Sequence, residues 1–195
     1  MQHADPTLDL LLRIIDALGD IADSLVFIGG CATSRLTTVQ RAEMTRVTDD
    51  VDVIAAVRNL ADYHRMEAKL HAIGFAPDPD PDAPISRMVR EEMTIDLMPT
   101  IPVGLGFHNR WFRMAFETAT SVELPGGRMI RLVRAPVFIA TKLEALAARG
   151  ASDLRSSHDL EDIVTVVDGR EELVDEVRDS DPDLRDYLSS RIQEL

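Results

Sequence analysis

Asp50, Asp52 and Asp96 are the residues of this chain whose types and spacing suit chemistry. Asp50 and Asp52 flank Val51 in the run Val47-Thr48-Asp49-Asp50-Val51-Asp52-Val53-Ile54. Read as a β-strand, that run alternates its side chains between two faces. Val51, Val53 and Ala55 then enter a core, while Asp50 and Asp52 stand side by side on the other face. Adjacent carboxylates repel unless a cation lies between them. A divalent metal meets that need, since Mg²⁺ takes one or two carboxylates and completes its shell with substrate phosphates. The plainer reading is a polar strand start with Asp49 and Asp50 as turn residues. Asp96 shares a strand face with Thr94 and Met98, with Ile95 and Leu97 on the opposite face. An acid inside an apolar strand is costly unless it is paired or metal-bound.

A second group of residues suits phosphate. Residues 25–28 form a short apolar run that reads as a buried strand ending in Gly29-Gly30, and a short helix is predicted over residues 31–39. Backbone N–H groups at a helix N-terminus attract anions, and glycine lets a phosphate approach closely. A tight turn is the plainer reading of the same glycines. Thr33 and Ser34 offer hydroxyl donors there, or are surface residues of the first helical turn. The chain has 19 arginines and two lysines, Lys69 and Lys142. Lys142 stands on a mostly apolar helix, either as a point charge towards phosphate or as a snorkelling surface residue. Asp159 and Asp162 are three apart on a later helix and share a face. Asp159 also lies where an acid complements the helix dipole.

The remaining pattern supplies the elements that must hold these groups. Apolar residues at helical spacing predict a helix over residues 7–22. Residues 40–47 read as a polar connection containing Arg41 and Arg46. Asn59 reads as the N-cap of a helix that runs to about Ile73 and stops at Gly74. The run Pro77-Asp78-Pro79-Asp80-Pro81-Asp82-Ala83-Pro84 predicts a solvated, extended loop with no chemistry, or a loose calcium site. Residues 85–90 and 93–98 read as a hairpin about Glu91-Glu92, followed by a glycine-containing loop over 103–108 and a short helix over 109–118. Residues 121–124 and 129–133 form a second hairpin about Pro125-Gly126-Gly127. Ala135-Pro136 opens a helix that Gly150 caps. Further helices are predicted over 156–167, with Ser156 or Ser157 as cap, and over 171–178 and 184–195.

Length and composition set the frame. At 195 residues the chain can build one core with a small helical annex. Its 45% apolar and 28% charged content is that of a globular protein, not a disordered one. No apolar run approaches the ~18 residues a membrane helix needs, so no membrane partner is expected. The N-terminal region has Asp5 and Asp9 and no basic segment, which argues against a signal peptide. The lone Cys31 makes no internal disulfide, and a reducing cytoplasm is expected. The net charge of −13 argues against indiscriminate nucleic-acid binding. Residues 85–150 nevertheless carry a net +3, against −7 before them and −9 after. A local basic groove, or simply a weakly cationic surface, follows.

In order along the chain, these blocks resemble the nucleotidyltransferase fold of the polymerase-β superfamily. Gly29-Gly30-Cys31-Ala32, Arg46 to Asp52, Ile95-Asp96-Leu97, Lys142-Leu143-Glu144-Ala145 with Arg149-Gly150, and Asp159-Leu160-Glu161-Asp162-Ile163-Val164 are similar to the AbiEii-type nucleotidyltransferases. Those are toxins of type IV toxin–antitoxin systems, with the mycobacterial MenT enzymes as relatives. The resemblance implies an α/β (α+β) fold: a central mixed sheet with flanking helices, a nucleotidyltransferase core over residues 1–134 and a C-terminal helical segment over 135–195. It also implies an enzyme that moves a nucleoside monophosphate from a nucleoside triphosphate to a hydroxyl of tRNA or protein, with a possible cognate antitoxin. Two Mg²⁺ ions would be held by Asp50, Asp52 and Asp96, with Asp96 as general base. Gly29, Gly30 and Ser34 would cradle the triphosphate, Lys142 would neutralise it, and Asp159 and Asp162 would close the site by orienting Lys142 or contacting the nucleotide. The alternatives are a small-molecule, antibiotic-type nucleotidyltransferase, for which an acidic rim suits a cationic acceptor, and a non-catalytic nucleotide-binding module.

Overall fold

The computed structural model describes residues 5–39, 47–106, 108–149 and 157–194. Helix α1 (Pro6–Leu18) begins at Asp5, whose carboxylate accepts the backbone N–H groups of Thr7 and Leu8. It ends at Gly19 and continues as a 3₁₀ turn, Gly19–Ser24, so the predicted helix over 7–22 is shorter and broken at that glycine. The chain then runs through β1 (Leu25–Ile28), α2 (Gly30–Leu36), β2 (Val51–Ala55), α3 (Leu60–Ala72), β3 (Ala76–Pro77), β4 (Arg87–Arg90) and β5 (Met93–Pro99). After these come α4 (Phe112–Glu117), β6 (Thr120–Leu124), β7 (Arg128–Leu132), α5 (Ala135–Arg149), α6 (His158–Gly169), α7 (Leu173–Arg178) and α8 (Pro182–Gln193).

The strands form one mixed sheet in the order β3-β4-β5-β2-β1-β7-β6. β1 is antiparallel to β2 and parallel to β7, and β2 is parallel to β5. The three central strands are apolar and buried on nearly every residue, as strands packed on both faces are. Leu25, Val26, Phe27, Val51, Val53, Ile54, Ile95 and Leu97 are all fully buried. Register places Ile28 opposite Asp52, Asp52 beside Asp96, and Asp96 opposite Arg87. In-register neighbours point to the same face. A single row therefore crosses four strands and presents Arg87, Asp96 and Asp52 together, next to the turn at Gly29.

Several boundaries differ from the sequence reading, each for a local reason. Helix α2 stops at Leu36 instead of reaching Val39, because the N–H groups of Thr38 and Val39 donate to the Gly169 carbonyl and draw the chain onto α6. Helix α4 starts at Phe112, not Asn109. The Asn109 amide donates to the Thr141 carbonyl and its oxygen accepts the Trp111 N–H, which holds residues 109–111 as a turn. The Asp-Pro run is not wholly extended: Ala76–Pro77 pairs with β4, and the Asp78 and Asp80 carboxylates accept N–H groups two residues on, folding it into successive turns. β2 begins at Val51, so Asp50 immediately precedes the strand. Asn59 caps α3 as expected, accepting the Asp62 N–H. Ser157 occupies the N-cap position of α6 without a side-chain cap bond. The connection with Arg41 and Arg46, the Gly150 cap and the Ser156 cap lie outside the described residues.

Phe27 sits at the centre of the sheet with no exposed surface. Phe27→Ala should lower the unfolding free energy by about 3–5 kcal/mol. Urea titration checks this as a drop in midpoint with unchanged slope.

Candidate active site

The row of register partners opens into a cleft of about 770 Å³ between the sheet and α5. Asp50, Asp52 and Asp96 line it, with Gly29 on one side and Lys142, Arg149 and Asp159 across from them. Asp49, the other candidate register, is exposed and does not line the cleft. Gly30, Ser34 and Asp162 are also absent from the lining. Ser34 Oγ instead meets Arg35 Nε at 3.4 Å.

Gly29 meets Asp52 more closely than any other residue type allows. Its φ is +78°, and a Cβ there would lie 1.7 Å from Asp52 Oδ2. The missing side chain at Gly29 thus gives Asp52 its place. Asp50 is fixed separately. Its Oδ1 accepts the Thr48 hydroxyl at 2.9 Å, and the Thr48 N–H donates in turn to the Thr7 hydroxyl on α1.

The charges are balanced by two basic residues. Arg87 donates from Nε and Nη2 to the two oxygens of Asp96, at 2.9 and 2.8 Å, and from Nη2 to Asp50 Oδ2 at 2.8 Å. The Asp96 hydrogen bonds hold the guanidinium above its ordinary pKa, against burial. Lys142 Nζ lies 2.7 Å from Asp162 Oδ2 and 3.0 Å from Asp159 Oδ1. Burial alone would push this amine down, but Asp162, Asp159 and Asp52 together hold it above its ordinary value. Thr33 Oγ1 donates to Asp162 Oδ1 at 3.2 Å, and Arg149 pairs with Asp159. Asp159 and Asp162 thus both pair with Lys142. Asp52 has the weakest compensation. Burial and the Asp50 carboxylate push its carboxyl up to about 7, against the pull of Lys142.

Hydrogen-bonded Arg87 was not singled out from the sequence, although a signal for it existed. A two-residue turn at Glu91-Glu92 places residue 87 directly opposite Asp96. Pro84, the last residue of a loop expected to carry no chemistry, and Ile85, expected to open the first hairpin, line the cleft as well. So does Glu144, which accepts the Tyr187 hydroxyl at 2.8 Å and lies 3.3 Å from Arg110. The Arg110 guanidinium lies 4.2 Å from the Tyr187 ring centre, forming an aromatic and basic buttress behind that wall.

Three carboxylates offer hard oxygen donors of the kind that bind hard divalent cations. Among the described residues no three His, Cys, Asp or Glu side chains already converge as a ligand set. The Arg87 guanidinium lies between Asp50 and Asp96, paired with both. The donor chemistry therefore fits a metal, with Arg87 holding the place of a cation.

No family model matches the chain, and no curated protein matches it significantly by sequence. Solved structures do match it over nearly its whole length. A solution structure of the antibiotic-resistance factor ANT(2'')-Ia aligns with a TM-score of 0.55 at 17% identity, covering 98% of this chain and 96% of that one. A crystal structure of ANT(2'')-Ia in complex with adenylyl-2''-tobramycin gives 0.55 at 18% identity, covering 95% and 98%. An antigenic nucleotidyltransferase-like protein from Paracoccidioides brasiliensis gives 0.56 at 16%, covering 98% and 89%. The chain has the nucleotidyltransferase fold. Among the described residues no helix is long and apolar enough to cross a membrane.

Two outcomes test this site. Gly29→Ala should cost at least about 2 kcal/mol from backbone strain and from the clash with Asp52. Asp52→Ala in the same chain should recover part of that loss in a double-mutant cycle by urea unfolding; an unchanged Gly29→Ala midpoint would contradict the close approach. The second concerns pH. A folded-state carboxyl raised to about 7 keeps a proton that the unfolded chain releases near its ordinary value of 3.8. This group's contribution to stability is therefore greatest at low pH and falls as pH rises through that window. The stability of Asp52→Asn relative to the parent should grow from about pH 4 to pH 7 and level off above.

Proposed function

We propose that this protein transfers a nucleoside monophosphate from a nucleoside triphosphate to an acceptor hydroxyl. The observation that carries the reading is the register row: Asp52 and Asp96 side by side on parallel strands, facing Lys142 across one cleft. The fold shared with nucleotidyltransferases supports it. In the transfer, an acceptor oxygen attacks the α-phosphorus, the bond from that phosphorus to the bridging oxygen breaks, and pyrophosphate leaves. Asp96 takes the proton of the attacking hydroxyl. Lys142, held in place by Asp159 and Asp162, faces the phosphate oxygens and offsets their charge. Gly29, beside Asp52, together with Gly30 at the start of α2 and Ser34 in its second turn, would cradle the triphosphate. Asp50, Asp52 and Asp96 are the residues that would hold Mg²⁺, two ions with the nucleotide bound. Such ions, when present, stabilise the attacking and leaving oxygens of an in-line displacement.

The order of motifs along the chain favours a tRNA or protein acceptor, with the protein a toxin restrained by a cognate antitoxin. A small-molecule acceptor is the second reading, favoured by two observations. The cleft is of small-molecule size, and the chain covers nearly all of a structure that holds adenylyl-2''-tobramycin. Incubation with Mg²⁺ and each α-³²P-labelled nucleoside triphosphate, with total RNA or with an aminoglycoside panel, separates the two. A labelled tRNA or protein band supports the first, and a labelled antibiotic supports the second. Asp96→Asn should lower the transfer rate by 10²-fold or more in either case. Label transfer unaffected by Asp96→Asn would remove that residue from the chemistry.

A further inference from the structure

Arg87 makes the most specific contacts in the cleft, yet the transfer described above gives it no task. Its guanidinium engages both oxygens of Asp96 and one of Asp50, all within 2.9 Å. Those are oxygens that a divalent ion bound to Asp50 and Asp96 would need. A guanidinium and a metal ion both demand the inner side of the same two carboxylates, and their like charges exclude joint occupancy at ion-pair distance. We propose that Arg87 is an internal counter-cation that competes with divalent metal for Asp50 and Asp96, so that the metal site assembles by displacing the guanidinium. The proposal rests on the metal assignment made above.

The local structure permits the exchange. Arg87 stands on β4 at the cleft wall beside Ser86, with 26% of its side chain exposed, so its long stem can carry the head group into the open cleft while the strand stays paired. Lys142 differs. It is enclosed by Asp159 and Asp162, with 13% exposure, and among the described residues its ion pairs are to these two acids. One basic residue is thus fixed and the other is exchangeable. While Arg87 is bound, both Asp96 oxygens accept its N–H groups.

Mn²⁺ titration of the nucleotide-free protein, followed by the electron paramagnetic resonance signal of the free ion, tests this directly. Arg87→Gln should bind Mn²⁺ at least tenfold more tightly than the parent, and Arg87→Lys should fall between them. Asp52→Asn should weaken binding in every background. Equal or weaker affinity in Arg87→Gln, with Asp52→Asn still weakening binding, overturns the proposal and leaves the metal assignment standing. Binding indifferent to Asp52→Asn overturns both. A variant that does not fold leaves a second measurement on the parent protein. The ¹⁵N resonance of the Arg87 Nε–H, identified by its loss in Arg87→Lys, should shift and lose exchange protection as Mg²⁺ saturates. A resonance unmoved at saturating Mg²⁺ overturns the proposal.

Discussion

Crowding of like charge governs this molecule. The sheet register puts Asp52 and Asp96 side by side, with Asp50 one residue before the same strand. Carboxylates so placed cannot all stay ionised in a partly buried cleft without cations. The chain meets the constraint in three ways. Arg87 shares its guanidinium between Asp50 and Asp96. Lys142 contributes charge from the far wall. Asp52, least compensated, has its carboxyl pushed up to about 7. Five acids and three cationic side chains line this one cleft, so binding there is decided by which cation sits where.

Positioning of Lys142 draws distant parts of the chain together. Its partners Asp159 and Asp162 belong to α6, and Asp162 also accepts the Thr33 hydroxyl of α2. The helix that follows the Gly29 turn, the lysine helix and the acidic helix are therefore tied by one buried polar network. Removing one member of such a pair typically costs about 3–5 kcal/mol, because the other charge remains buried and unpaired. A second tie runs nearby, where Arg170 donates to the Leu36 carbonyl and the Thr38 and Val39 amides donate to Gly169. Gly169 itself is closely covered, since a Cβ there would lie 2.7 Å from Thr37 Cγ2. The α2–α6 contact is thus fixed by backbone as well as by charge.

Much of this was legible in the sequence because the relevant signals are local. Alternation identified the central strands, the Gly-Gly after an apolar run marked the turn, and Asn59 and Pro136 marked helix starts. Asp96 stood out because an acid in an apolar strand requires a reason. What the sequence hid depends on register and on distant partners. Arg87 looks like an ordinary polar residue of an edge-side hairpin until the turn at Glu91-Glu92 is used to place it opposite Asp96. That the tightest neighbour of Gly29 is an aspartate 23 residues later in the chain depends on the β1–β2 register, which no local signal carries. The shortened α2 and α4 reflect bonds to residues more than 30 positions away, which override helical propensity.

The central claim is that Asp50, Asp52 and Asp96 form a metal-dependent nucleotide site in which metal replaces the Arg87 guanidinium. Anomalous diffraction from crystals soaked with Mn²⁺ and an α,β-methylene nucleoside triphosphate tests it most directly. The account predicts anomalous peaks about 2 Å from carboxylate oxygens of these three residues, the triphosphate facing Lys142, and Arg87 withdrawn from Asp96. Nucleotide bound with no anomalous peak at these carboxylates, and Arg87 still bridging Asp50 and Asp96, would contradict it.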